Sequence, residues 1–182
     1  RKDTNAVVLS EIKGADLLKK ARRLVFVACG TSWHSSLLAK YWIERWARVP
    51  VDVELASEYR YRDPVYSEDT LIVGVSQSGE TADTLAVIKA AKNEGVPTLG
   101  LTNVRGSTLA READACFFTG AGPEIGVAAT KSFTAQMTTF VVWAAFLAQK
   151  RIGAQAVLEQ LYKVPHLLNE WLIQGGALDQ QL

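Results

Sequence analysis

The sequence predicts an α/β fold in which five parallel strands form one sheet covered by helices on both faces. Short apolar runs without polar alternation, Leu24-Val25-Phe26-Val27-Ala28-Cys29 and Leu71-Ile72-Val73-Gly74-Val75, mark strands that are buried on both sides. Segments of helical spacing separate the runs, and that succession implies right-handed crossovers between parallel strands. The 182 residues, 48% hydrophobic and 21% charged, amount to one domain. A chain of that size buries roughly 70% of its unfolded surface and needs neither metal nor disulfide to hold a core.

Leu17, Leu18 and Ala21 predict a short amphipathic helix that ends in Lys19, Lys20, Arg22 and Arg23, cations suited to a helix C-terminus. The first strand, Leu24 to Cys29, stops at Gly30, and Leu37, Leu38, Tyr41, Trp42 and Trp46 place a helix over 32–47. Pro50 separates it from a second strand, Val51 to Leu55, and the polar stretch 57–69 reads as loop. The third strand, Leu71 to Val75, leads to a helix from about Gly79 to Asn93, closed by Gly95. A fourth strand spans Thr98 to Leu101, one helical turn covers Leu109 to Arg111, and a fifth strand spans Ala115 to Phe118. Gly120 to Gly126 is loop, Thr130 to Ala148 an apolar helix, and Ala154 to Leu172 helical with a break at Pro165; Gly175-Gly176 reads as loop.

Twenty Lys+Arg balance nineteen Asp+Glu to a net charge of +1, which leaves no electrostatic footprint for a nucleic acid or an anionic membrane. The charge-free run Ser132 to Gln149 contains Thr134, Gln136, Thr138 and Thr139 and falls short of a membrane span. Cys29 and Cys116 stand far apart without a partner motif, which suits a reducing compartment, so cytoplasm is the expected location. The polar start Arg-Lys-Asp-Thr-Asn and a single methionine, Met137, suggest a piece of a longer chain.

Two strand-to-helix junctions carry more hydroxyls than a helix start needs: Cys29-Gly30-Thr31-Ser32 and Ser76-Gln77-Ser78-Gly79-Glu80-Thr81. One reading makes Ser32 and Ser78 N-caps and the rest loop polarity. The other makes both junctions an anion site, where hydroxyls and free helix N–H groups converge. A flavodoxin-like strand order, 2-1-3-4-5, favours the second. It sets the first and third strands side by side with their crossovers on opposite faces, so the crevice opens between these two loops. A phosphate monoester, carrying about −1.5 to −2 charge, is the natural ligand. Neither loop holds a basic side chain, which leaves the binding to hydroxyls and backbone.

Other motifs fail on spacing. GxxxxGK[ST] is absent, which argues against a nucleoside triphosphate, and Gly120-Ala121-Gly122-Pro123-Glu124-Ile125-Gly126 has its third glycine one position late and follows the wrong strand for a dinucleotide. No cofactor is therefore expected. Gly74-Val75-Ser76-Gln77-Ser78 lacks the closing glycine of a nucleophile elbow, and two histidines, His34 near the crevice and His166 in the distal helix, supply no metal spacing.

The segments ACGTSWHSS, VSQSGETADTL, LTNVRGSTLAREAD and GPEIGVAATKSFTAQ, in this order, resemble the first sugar isomerase (SIS) domain of the glutamine:fructose-6-phosphate amidotransferase family over about residues 20–150. SQSGET alone is shared widely among phosphosugar-binding domains; CGTS with EIGVA-TK-FTAQ points to the amidotransferases. The resemblance implies a five-stranded three-layer α/β/α sandwich. It implies that Ser32, Ser76, Gln77, Ser78 and Thr81 hold the sugar phosphate, with Thr31 and the Val127 backbone near the sugar. Where many members read GVAST this chain has Ala129, which removes a hydroxyl, and Lys131 reads as a structural charge rather than a catalytic amine.

Such enzymes join a glutaminase domain to two isomerase domains, act as homodimers, and convert fructose 6-phosphate to glucosamine 6-phosphate. Their general base and Schiff-base lysine belong to the second isomerase domain, so no catalytic residue is assigned here, and Cys29 is not the glutaminase nucleophile. Residues 1–22 and 152–182 would then be linker segments on either side of one SIS domain, catalytically incomplete alone. The alternatives are a phosphosugar sensor of a transcriptional regulator, or a free-standing sugar-phosphate isomerase or fructosamine-phosphate deglycase.

Overall fold

The computed structural model describes residues 7, 9, 14–126, 128–149 and 154–175. Along the chain run α1 (Ala15–Lys20), β1 (Arg23–Ala28), α2 (Gly30–Trp46), β2 (Val51–Leu55), α3 (Ala56–Tyr59), β3 (Thr70–Ser76), α4 (Ala82–Asn93), β4 (Thr98–Thr102), α5 (Thr108–Glu112), β5 (Ala115–Phe118), α6 (Lys131–Leu147) and α7 (Ala154–Gly175). The sheet has the order β2-β1-β3-β4-β5 with every pairing parallel.

Alternate residues of each strand feed two cores, as the period-two geometry of a strand requires. Leu24, Phe26 and Ala28 of β1 and Val73 and Val75 of β3 face α1, α2 and α6, where they meet Leu18, Ala39, Ile43, Phe140 and Trp143. Val25, Val27 and Ile72 face the other way, onto Ala56, Tyr59, Val87, Ile88, Ala91 and Leu109 of α3, α4 and α5. The larger core is cemented by aromatic edges: Phe140 meets Phe26 at 5.4 Å and Trp143 at 5.6 Å, and Trp143 meets Phe117 at 4.9 Å. On the second face Gly74 lets α4 approach the sheet, since a Cβ there would lie 2.9 Å from the Ile88 side chain.

The structure revises several element bounds. The stretch 57–69 is not loop throughout: it continues from α3, which exists because Ala56 and Tyr59 bury against Val25 and Val27. Gly79 does not open α4, because its left-handed backbone (φ 69) belongs to the preceding loop. Pro165 lies inside α7 and does not break it. The residues around it are exposed, so water can satisfy the carbonyl that loses its N–H partner. Gly175, expected in a loop, ends α7, while Gly176 lies outside the described residues. Among the described residues no helix is long and apolar enough to cross a membrane.

Trp143, 1% exposed, is the largest of the fully buried side chains. Trp143→Ala is expected to lower unfolding free energy by about 3–5 kcal/mol, measured by denaturant titration.

Candidate functional site

Ala28 pairs with Val75, so the loops that leave β1 and β3 emerge side by side at the carboxyl edge of the sheet. From there α2 turns onto the face of Phe140 and Trp143 and α4 onto the face of Leu109, which opens the crevice between them.

The loop from Ser76 to Thr81 is braced from inside. Gly79 N–H donates to Ser76 Oγ at 2.9 Å, Ser76 Oγ and Thr81 Oγ1 share a hydrogen bond of 2.8 Å, and Glu80 N–H donates to Ser78 Oγ at 3.2 Å. It is also tied to its neighbours: Gln77 C=O accepts from Asn103 N–H at 3.0 Å and from Thr102 Oγ1 at 3.2 Å, and Gly79 C=O accepts from Leu109 N–H at 3.0 Å. Gly79 can only be glycine here, since a Cβ would lie 2.2 Å from Ser107 Oγ and the backbone is already left-handed. The loop's one acid is turned away: Glu80 Oε1 accepts from Thr108 N–H at 2.7 Å, a bond that holds its carboxyl below the ordinary range. Ser76 is buried, while Gln77, Ser78 and Thr81 are half-buried.

Neither Ser32 nor Ser78 is an N-cap. The N-cap of α2 is Cys29 and that of α4 is Thr81, and neither makes a side-chain capping bond. The first N–H groups of both helices thus lack side-chain caps at the crevice. Thr84, 1% exposed in the first turn of α4, adds a buried hydroxyl without a protein partner among the described residues.

On the other side of the crevice Thr31 is exposed in the first turn of α2. Ser32 is buried at 6% exposure, and its hydroxyl accepts from Gln136 Nε2 of α6 at 2.9 Å. Val127 lies outside the described residues. His34 is exposed against the Trp33 ring, and His166 pairs with Glu170 at 3.1 Å on the surface of α7. Burial pushes the Cys116 thiol up to about 11. A cavity of about 340 Å³, lined by Tyr59, Arg60, Tyr66 and Glu94 among others, lies toward the C-terminal end of α4, away from the crevice.

Two structural features around the site escaped the motif reading. Asn103, after β4, accepts from Ala121 N–H at 2.8 Å and Thr119 Oγ1 at 3.0 Å, and donates to Gly122 C=O at 2.7 Å, which pins the loop after β5. Glu124 fills the N-terminus of α6: it accepts from Ser132 Oγ at 2.7 Å, Ser132 N–H at 3.0 Å, and Thr130 N–H and Oγ1 at 3.2 Å. The Ser132 hydroxyl and N–H, then those of Thr130, bring its carboxyl down to about 2. A capping box would place its carboxylate inside the first helical turn, whereas Glu124 caps from the preceding loop.

The doubly wound sheet carries a hydroxyl-rich loop at its switch point, and the SIS domain profile matches residues 17–148. The chain belongs to the SIS domain family. It is similar to the "Glutamine--fructose-6-phosphate aminotransferase [isomerizing]" of Mycolicibacterium smegmatis, 53% identical over 82% of this chain and 24% of that protein. Its likeness to the enzyme of the same name from Chlorobaculum tepidum is 46% over 91% of this chain and 28% of that protein. The chain therefore spans about a quarter of the length of these curated relatives. Among solved structures it resembles the C-terminal domain of glucosamine-fructose-6-phosphate aminotransferase from Francisella tularensis, with a TM-score of 0.87 and 38% identity over 97% of this chain and 52% of that one.

The depressed Glu124 carboxyl stabilises the fold above its ordinary value of 4.5, and that contribution is lost as pH falls toward about 2. Wild type is expected to melt above Glu124→Gln at neutral pH, with the gap closing between pH 4.5 and about 2 in parallel thermal scans.

Proposed function

We propose that this chain binds fructose 6-phosphate in the crevice between the β1 and β3 loops, as the first isomerase domain of a glutamine:fructose-6-phosphate aminotransferase. The observation that carries the reading is the loop from Ser76 to Thr81, whose hydroxyls are left uncommitted to helix capping at the switch point. Ser76, Gln77, Ser78 and Thr81 take the phosphate together with Ser32, while Thr31 lies toward the sugar. Likeness to aminotransferases across 82% and 91% of the chain favours the enzyme over a sensor or a free-standing isomerase.

Hydrogen bonds to a charged group contribute about 1.5–3 kcal/mol each, against about 0.3–2 kcal/mol for the helix dipole. Hydroxyls therefore dominate a site whose loops hold no basic residue. A phosphate held there anchors the sugar by an end remote from its carbonyl, and such remote binding orients the reacting carbons. In this reading the proton-transfer groups come from a second isomerase domain and ammonia from a glutaminase domain of the parent chain. The parent is a cytoplasmic homodimer.

Ser78→Ala is expected to weaken fructose 6-phosphate binding by about tenfold to a hundredfold, the worth of one charge-assisted hydrogen bond. Unchanged affinity by calorimetry removes Ser78 from the site. The 182-residue chain is further expected to form no glucosamine 6-phosphate from fructose 6-phosphate and ammonia, and turnover at the rate of a full-length aminotransferase overturns its assignment as an incomplete part.

A further inference from the structure

We infer that Gln136 is a positioning residue for the phosphate site: its buried amide holds the Ser32 hydroxyl as an acceptor, so that the Ser32 proton is left for an anion in the crevice. The inference rests on the phosphosugar reading above and adds to it the group that sets the sense of one of its hydrogen bonds.

Gln136 is 2% exposed on the buried face of α6, where an amide is costly unless it is paired. It is paired on both sides. Its Nε2 donates to Ser32 Oγ at 2.9 Å, and its Oε1 accepts from Ser35 Oγ at 2.8 Å. Ser35 is fully buried, and its hydroxyl also lies 2.9 Å from Ser32 C=O, an oxygen that accepts from Ser36 Oγ at 2.8 Å as well. Ser35 has one proton for these two acceptors, and in donating it to Gln136 Oε1 it leaves the NH₂ of the amide toward Ser32.

A serine hydroxyl has one proton and two lone pairs. The amide occupies a lone pair of Ser32, and a hydroxyl held as acceptor from the protein side can donate outward. Reversing the amide reverses the outcome, because Ser32 would then donate inward to Oε1 and offer an anion only lone pairs. Removing the amide takes away the donor that holds Ser32 as an acceptor, so its proton is no longer directed to the crevice. Helix packing alone would be served by a hydrocarbon at this depth, whereas the sense of the Ser32 bond requires a donor.

The test is calorimetric titration of the chain with fructose 6-phosphate in a double-mutant cycle of Gln136→Met with Ser32→Ala, with Ser78→Ala as the reference background. Gln136→Met is expected to weaken binding by about fivefold to twentyfold, part of the worth of a charge-assisted hydrogen bond. That factor should fall below about twofold in the Ser32→Ala background and persist in full in the Ser78→Ala background. The same factor in both backgrounds, or no loss in wild type, overturns the inference. If Ser32→Ala binds normally while Ser78→Ala does not, the inference falls and the phosphate site stands. If both serine variants bind normally, the site reading falls and the inference with it. Should Gln136→Met fail to fold, Ser35→Ala replaces it, with an expected loss of about twofold to fivefold that again requires Ser32.

Discussion

The site depends on one tight approach: Gly79 lies against Ser107 and Thr102 with no space for a side chain, in a backbone conformation that L-residues resist. That contact lets the loop after β3 fold back toward β4 and α5. Its carbonyls are thereby spent on Asn103, Thr102 and Leu109, and its hydroxyls are gathered near the crevice. A loop anchored through its carbonyls needs little reorganisation to meet an anion, and preorganised donors are the effective kind.

The helix N-termini of this edge are treated unequally. Those of α2 and α4 carry no side-chain cap, whereas that of α6 is occupied by Glu124, a carboxylate of the chain itself. Glu80 is likewise directed to Thr108. The uncapped N–H groups thus lie between β1 and β3, whereas the start of α6 is closed by a resident negative charge. The buried Gln136 links the two regions, since α6, whose end Glu124 closes, reaches across to Ser32 on α2.

Much of the fold was legible in the sequence because buried parallel strands write themselves as unbroken apolar runs. Leu24 to Ala28 and Leu71 to Val75 fixed the neighbouring strands, and the order of elements implied the rest of the sheet. The loop from Ser76 to Thr81 was legible as a cluster of hydroxyls. What it did for its own shape was not, because the Ser76–Thr81 bond and the Gly79–Ser107 contact depend on three-dimensional closure. The short α3 was hidden because it is held by tertiary burial of Tyr59 rather than by any helical periodicity. Gln136 and Glu124 were hidden for a related reason. Their partners, Ser32 and Ser132, lie beyond the reach of a local motif, one of them 104 residues away.

The account stands or falls on where the phosphate sits. A crystal structure of the chain with fructose 6-phosphate is expected to place the phosphorus between the β1 and β3 loops, with Ser78 Oγ within hydrogen-bonding distance of a phosphate oxygen. Density for the ligand elsewhere, such as the 340 Å³ cavity beside Tyr59, with the crevice vacant, would contradict it.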